Sequence, residues 1–160
     1  MKLLILVLLS VIVLCYCYPE GAPSCKLNVP SHEKTKAKSG KAPYNIVVTT
    51  PKTQTNGEKT VTVTISGIGS KTFKGFHMTA RVPNSSATIG KFTPSDNAKI
   101  LQCNPSSNAI THKDNEDKES ISFSWSAPKK YKGKVEFRAT IVKEYKEFYT
   151  NVKSSQVVIN

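Results

Sequence analysis

The stretch SISFSWSA, residues 120–127, decides the fold. Ile121, Phe123, Trp125 and Ala127 alternate with Ser120, Ser122, Ser124 and Ser126. A strict period of two sends successive side chains to opposite faces, so this segment predicts a strand with one buried and one wet face. The same design recurs on both sides of it. In KTVTVTIS, residues 59–66, Val61, Val63 and Ile65 oppose Thr60, Thr62 and Thr64. In FHMTARV, residues 76–82, Phe76, Met78, Ala80 and Val82 oppose His77, Thr79 and Arg81. In VEFRATI, residues 135–141, Val135, Phe137, Ala139 and Ile141 oppose Glu136, Arg138 and Thr140.

Weaker strand candidates are YNIVVTT (44–50), KFT (91–93), AKILQC (98–103) and SSQVVIN (154–160). Turn-forming clusters such as TNGEK, VPNSS, TPSDN, NPSSN and YKGK separate these runs. No stretch of about a dozen residues carries helical spacing. Short alternating strands divided by polar turns predict an all-β fold, an antiparallel β-sandwich, in one domain.

The N-terminus reads differently. Lys2 supplies a positive charge, and residues 3–14 are apolar except Ser10. The run is shorter than the roughly 20 apolar residues of a membrane span, and Cys15 and Cys17 form a small-residue cleavage pattern. Residues 1–17 are therefore expected to be a cleaved signal peptide, leaving residues 18–160 as a secreted domain without a transmembrane segment. Cys25 and Cys103 stay behind. In an oxidising compartment they can form one intramolecular disulfide; separate thiols or an intermolecular bond are the other arrangements. Residues 18–43, rich in Pro, Lys, Ser and Gly, read as an extended arm.

The chain carries 23 basic and 11 acidic residues, a formal charge of +12. Only Arg81 and Arg138 are arginines. A lysine-rich surface attracts polyanions broadly, whereas the arginine fork reads planar anions. Export directs the chain away from nucleic acid, so the expected polyanions are bacterial lipopolysaccharide and teichoic acid, or sulfated glycans of the host. Lysines cluster twice. EKTKAKSGK places Lys34, Lys36, Lys38 and Lys41 in the arm. PKKYKGK places Lys129, Lys130, Lys132 and Lys134 around Tyr131 in a turn before a strand, where four charges and a ring could hold phosphates and stack on a sugar. That second cluster is the candidate anion-binding site; the other reading of it is an ordinary solvated turn.

Other chemistry is thin. His32, His77 and His112 match no zinc spacing, and DNEDKE (114–119) lacks the glycine and terminal glutamate of a calcium loop, so it reads as a solvated acidic turn. His77, on the outer face of its strand, reads as a surface residue. No nucleophile motif, phosphate loop or cofactor motif is present, which argues against an enzyme and against a bound cofactor. Asn84, in NSS, is the glycosylation sequon.

Several segments in order, YPEGAPSC, FKGFHMTAR, GKF, LQC, ITH, SFSWSAP and VEFRATIV, together resemble the Reeler domain, in the short secreted form of the insect "putative defense proteins". The resemblance covers roughly residues 18–142. It implies an immunoglobulin-like sandwich, a Cys25–Cys103 disulfide, and an antimicrobial or recognition role in innate immunity. His77 departs from it, because a large apolar residue is more usual at that place. The alternative function, compatible with the same fold and charge, is an extracellular matrix or host-protein interaction domain.

Overall fold

The computed structural model describes residues 19–25, 30 and 35–160, so the expected signal peptide, with Cys15 and Cys17, lies outside the described residues, as do His32 and Lys34. Among the described residues the fold is all-β, built from β1 (Tyr44–Val48), β2 (Lys52–Thr53), β3 (Lys59–Gly67), β4 (Gly75–Arg81), β5 (Lys91–Phe92), β6 (Ala98–Asn104), β7 (Ser107–His112), β8 (Ser120–Ser126), β9 (Gly133–Glu144), β10 (Glu147–Lys153) and β11 (Val157–Ile159). Two antiparallel sheets form a sandwich. The first runs β1-β3-β8-β5, with β2 also paired to β3; the second runs β10-β9-β4-β7-β6, with β11 also paired to β9.

The four strands that alternate most cleanly, β3, β4, β8 and β9, take the interior places of the two sheets, which is where two-sided hydrogen bonding and one-sided burial coincide. Val63↔Phe123 and Val61↔Trp125 pair across β3 and β8, and Met78↔Ala139 and Ala80↔Phe137 pair across β4 and β9. Their apolar faces meet between the sheets. Trp125 is wholly buried, its ring edge-on to Phe137 with centroids 5.4 Å apart. Its indole N–H reaches the Ile89 carbonyl at 3.2 Å, which satisfies the one polar atom that an apolar pocket would penalise.

The outer faces of the two sheets differ. On the first, the Thr/Ser face is wet, and Thr64 and Ser122 join hydroxyls at 2.8 Å across the ladder. On the second, the strands at the centre are buried on both sides. His77, expected at the surface, is only 6% exposed, and Thr79, Thr111, Glu136 and Thr140 are buried with it. The alternation placed His77 on the correct face. It could not show that β4 is the middle strand, flanked by β9 and β7, where side chains from both neighbours crowd that face.

Three strands were missed in the sequence: the two-residue β2, β7 and β10. SNAITH, now β7, hides its period because Asn108 is buried for a polar reason. Its side-chain amide and carbonyl bind the backbone of Phe92 at 3.0 and 2.6 Å, stitching β7 to β5 across the sandwich edge. β10 contains a bulge: Tyr149 pairs with Ile141 and Val152 with Ala139, so Thr150 and Asn151 share the place opposite Thr140. Asn151 takes φ 58°, a left-handed conformation that asparagine tolerates better than most residues.

Candidate functional site

The arm is fixed to the second sheet. Cys25 and Cys103 are joined in a disulfide across Cα atoms 5.5 Å apart. Just before it, the Ala22 N–H donates to the Thr111 hydroxyl at 2.9 Å, so residues 21–25 lie on the outer side of β6 and β7. Further along, the Lys38 N–H donates to the Phe148 carbonyl of β10 at 2.9 Å.

PKKYKGK forms the turn from β8 into β9. Lys129, Lys130, Lys132 and Lys134 are exposed. The turn is tight: Lys130 takes φ 66° and Gly133 φ 148°, and the Tyr131 N–H donates to the Pro128 carbonyl at 3.0 Å. The Tyr131 ring is half-buried against the core and its hydroxyl donates to the Lys134 carbonyl at 2.9 Å. Tyr131 thus braces the turn that carries the lysines.

The topology adds lysines that the sequence kept apart. Lys91 pairs with Ser126 at the end of β8. The Lys59 carbonyl accepts the Ala127 N–H, and Lys52 pairs with Thr60 beside it. All therefore sit at the end of the sandwich that carries the 128–134 turn. None of these lysines joins an ion pair with a described residue. Glu58, in the β2–β3 turn, lies at this end too.

Three carboxylates at the opposite end are ion-paired. Lys118 binds Asp114 at 2.6 Å, Lys143 binds Asp117 at 3.4 Å and Lys74 binds Glu144 at 3.2 Å. The Lys118 hydrogen bond holds the Asp114 carboxyl below the usual carboxylate range, and the Thr72 hydroxyl does the same for Asp117. DNEDKE is thus a turn closed by the Asp114–Lys118 ion pair and tied to β9 through Asp117 and Lys143, and among the described residues no three His, Cys, Asp or Glu side chains come together to hold a metal. The arm lysines Lys36, Lys38 and Lys41 lead into β1 at this same far end, so the two lysine clusters do not meet. Asn84 is exposed in the β4–β5 connection with φ 60°, at the lysine end of the molecule.

A second feature lies on the buried outer face of the six-stranded sheet. A cavity of about 240 Å³ is lined by His77, Arg81, Arg138, Ala139, Thr140, Thr150 and Asn151. Both arginines of the chain are in it. Sequence reading passed over them because they are 57 positions apart; the signal available was that each stands on the polar face of an alternating strand.

The sandwich, its bridge and its order of strands identify the class: this chain belongs to the Reeler domain family, whose sequence model matches residues 23–160. It is 36% identical to "Putative defense protein 2" of Antheraea mylitta, over 94% of this chain and 96% of that one. It is also 34% identical to "Putative ferric-chelate reductase 1" of Danio rerio, over 98% of this chain but 28% of the reductase, so the likeness is to one part of a longer protein. Among solved structures, the human F-spondin reeler domain superposes with a TM-score of 0.60 at 18% identity, covering 80% of this chain and 96% of the other.

Proposed function

We propose that this chain is an exported defense protein that binds anionic polymers of microbial surfaces, lipopolysaccharide or teichoic acid, through the lysine end of its sandwich. The observation that carries this reading is a convergence of lysines: Lys52, Lys91, Lys129, Lys130, Lys132 and Lys134 come together at one end with no ion-pair partner among the described residues, whereas Lys74, Lys118 and Lys143 at the other end are paired with carboxylates. A mainly positive end focuses attraction on a polyanion and weakens as salt screens it.

The kinship to insect defense proteins supports the biological setting. The Cys25–Cys103 bridge suits an oxidising compartment, and export follows if residues 1–17 act as the signal peptide. The Asn84 sequon would then carry a glycan. The apolar faces of the strands are committed to the core, which favours recognition over membrane lysis. The chain acts as a binding module in this account, and the kinship to part of a reductase transfers no redox chemistry.

The test is a pull-down of the purified chain with whole Gram-negative and Gram-positive bacteria at 50 and 300 mM salt. Wild type should bind at low salt and be released at high salt, and a Lys129→Ser/Lys130→Ser/Lys132→Ser/Lys134→Ser variant should not bind. Equal binding by wild type and variant would sink the assignment, and no binding by either would direct the search to host glycans or protein partners.

A further inference from the structure

Among the described residues, three other than glycine hold a left-handed backbone: Asn84 at φ 60°, Lys130 at φ 66° and Asn151 at φ 58°. Two of them are asparagines, whose short amide can bond to nearby backbone and so tolerates that region. Lysine has no such compensation. Its Cβ crowds the following carbonyl in a left-handed conformation, as in any ordinary residue. The turn shows why Lys130 is nevertheless held there. The Tyr131 N–H donates to the Pro128 carbonyl at 3.0 Å, which closes the four residues from Pro128 to Tyr131. Lys129 is not left-handed and Lys130 is. That is the pattern of a type II turn, whose third place belongs to glycine or asparagine.

The turn cannot relax around Lys130. Just after it, the Tyr131 hydroxyl donates to the Lys134 carbonyl at 2.9 Å and the ring is half-buried against the core. Gly133, at φ 148°, passes under that ring: a Cβ there would stand 3.0 Å from the hydroxyl. The backbone from Pro128 to Lys134 is thus closed at two places, and Lys130 leaves its conformation only if the bond from Tyr131 to Pro128 breaks. Where this turn needs a glycine for space, at position 133, it has one. At position 130, where the backbone alone favours glycine, it keeps a lysine. Packing does not explain the choice, because Lys130 is exposed. Pairing does not either, because Lys130 joins no ion pair with a described residue. Strain kept in the backbone without a structural return points to a side chain that works.

We propose that Lys130 is the principal contact of the lysine end with a polymer of repeating phosphates, held ready by the strained type II turn at the expense of fold stability. This rests on the function proposed for that end. Lys129, Lys132 and Lys134 add to the field around the ligand, but none of them takes a left-handed φ. A locked turn places its charge before the ligand arrives, so less ordering entropy opposes binding. Ammonium groups are compact point charges that meet successive phosphates singly, whereas one planar oxyanion is better held by an arginine fork. A run of phosphates therefore suits this turn better than an isolated one.

Affinity for long-chain inorganic polyphosphate at 50 mM salt and thermal melting, both measured on the purified chain, test it together. Lys130→Gly and Lys130→Asn should bind at least tenfold more weakly than wild type and yet melt no lower, with a rise of roughly 2 °C as the strain is relieved. Lys130→Arg should stay within threefold of wild type in affinity, and Lys129→Ser should lose threefold or less. Inorganic phosphate, at equal total phosphate, should bind at least tenfold more weakly than the polymer. A lysine that served only the fold would behave in the opposite way, with a lower melting temperature and unchanged affinity in its variants. Equal losses of affinity in Lys129→Ser and Lys130→Gly overturn the inference and leave the lysine end as the binding surface. A fall in melting temperature in both Lys130→Gly and Lys130→Asn, or equal binding of phosphate and polyphosphate, overturns it in the same way. Wild type that does not bind polyphosphate, or a four-lysine variant that binds it as well as wild type, overturns both this inference and the function on which it rests.

Discussion

Gly90 lies flat against the Trp125 indole, with φ 66° and no room for a side chain. A Cβ there would meet the six-membered part of the indole and stand 2.5 Å from the Ser126 carbonyl. Trp125 in turn is held by its bond to Ile89, the residue before Gly90. The indole and the glycine corner therefore fix each other, and with them the passage of the chain from β4 to β5.

Gly90→Ala should accordingly be among the most damaging single changes. It adds a strained left-handed alanine to a clash with an immobile ring and a backbone carbonyl. A loss of about 3–5 kcal/mol is expected in chemical denaturation, with Trp125 fluorescence shifted toward that of a wetter indole. Gly57→Ala, at φ 78° in the open β2–β3 turn, meets nothing and should cost about 1 kcal/mol.

His77 sets a pH dependence. Burial above all, then Arg81 and His112, lowers its pKa from 6.5 to about 4. The folded protein keeps the imidazole neutral where the unfolded chain would protonate it. Stability is therefore complete above about pH 6.5 and falls as pH drops through the window from 6.5 to 4, by about 3 kcal/mol in all. Urea denaturation at pH 7.5 and pH 4.5 should show this drop in wild type and a much smaller one in His77→Phe.

The disulfide ties residues 78 apart in sequence. Removing it frees a long loop in the unfolded chain, which loop entropy puts at about 4 kcal/mol. Since Cys25 sits in the arm outside the core, Cys25→Ser/Cys103→Ser should keep the sandwich and its near-ultraviolet circular dichroism. Its melting temperature should fall by on the order of 10 °C.

Among the described residues, Glu136 is the carboxylate that pairs with both Arg138 and Lys153. Glu136→Gln removes the neutralising charge and leaves the Arg138 guanidinium, about one-fifth exposed, without its ion-pair partner. A loss of about 2 kcal/mol is expected by thermal melting at low salt, partly recovered by added sulfate.

How far the sequence could be read follows from where each strand lies. β3 and β8 each bury one face against the other sheet and wet the other, so Val61, Val63, Phe123 and Trp125 alternate openly. β7 and β10 break the rule locally: Asn108 is buried because it binds the Phe92 backbone, and the Thr150–Asn151 bulge interrupts the period. The lysine turn was legible because its charges are contiguous. The convergence of Lys52, Lys59 and Lys91 upon it was not, since that depends on strand order. The arginine cavity was least legible: it needs the register of β4 on β9 and a bulge in β10, neither of which leaves a mark in local composition.

The measurement closest to the centre of this account is the affinity of the purified chain for lipopolysaccharide and for teichoic acid as a function of salt. Wild type should lose affinity steeply between 50 and 300 mM salt, because each lysine engaged releases a counterion from the polymer. The variant with Lys129, Lys130, Lys132 and Lys134 changed to Ser should bind at least tenfold more weakly at 50 mM and show a shallower slope. Affinity that ignores salt, or a variant that matches wild type in both affinity and slope, would contradict the assignment of the lysine end as the binding surface.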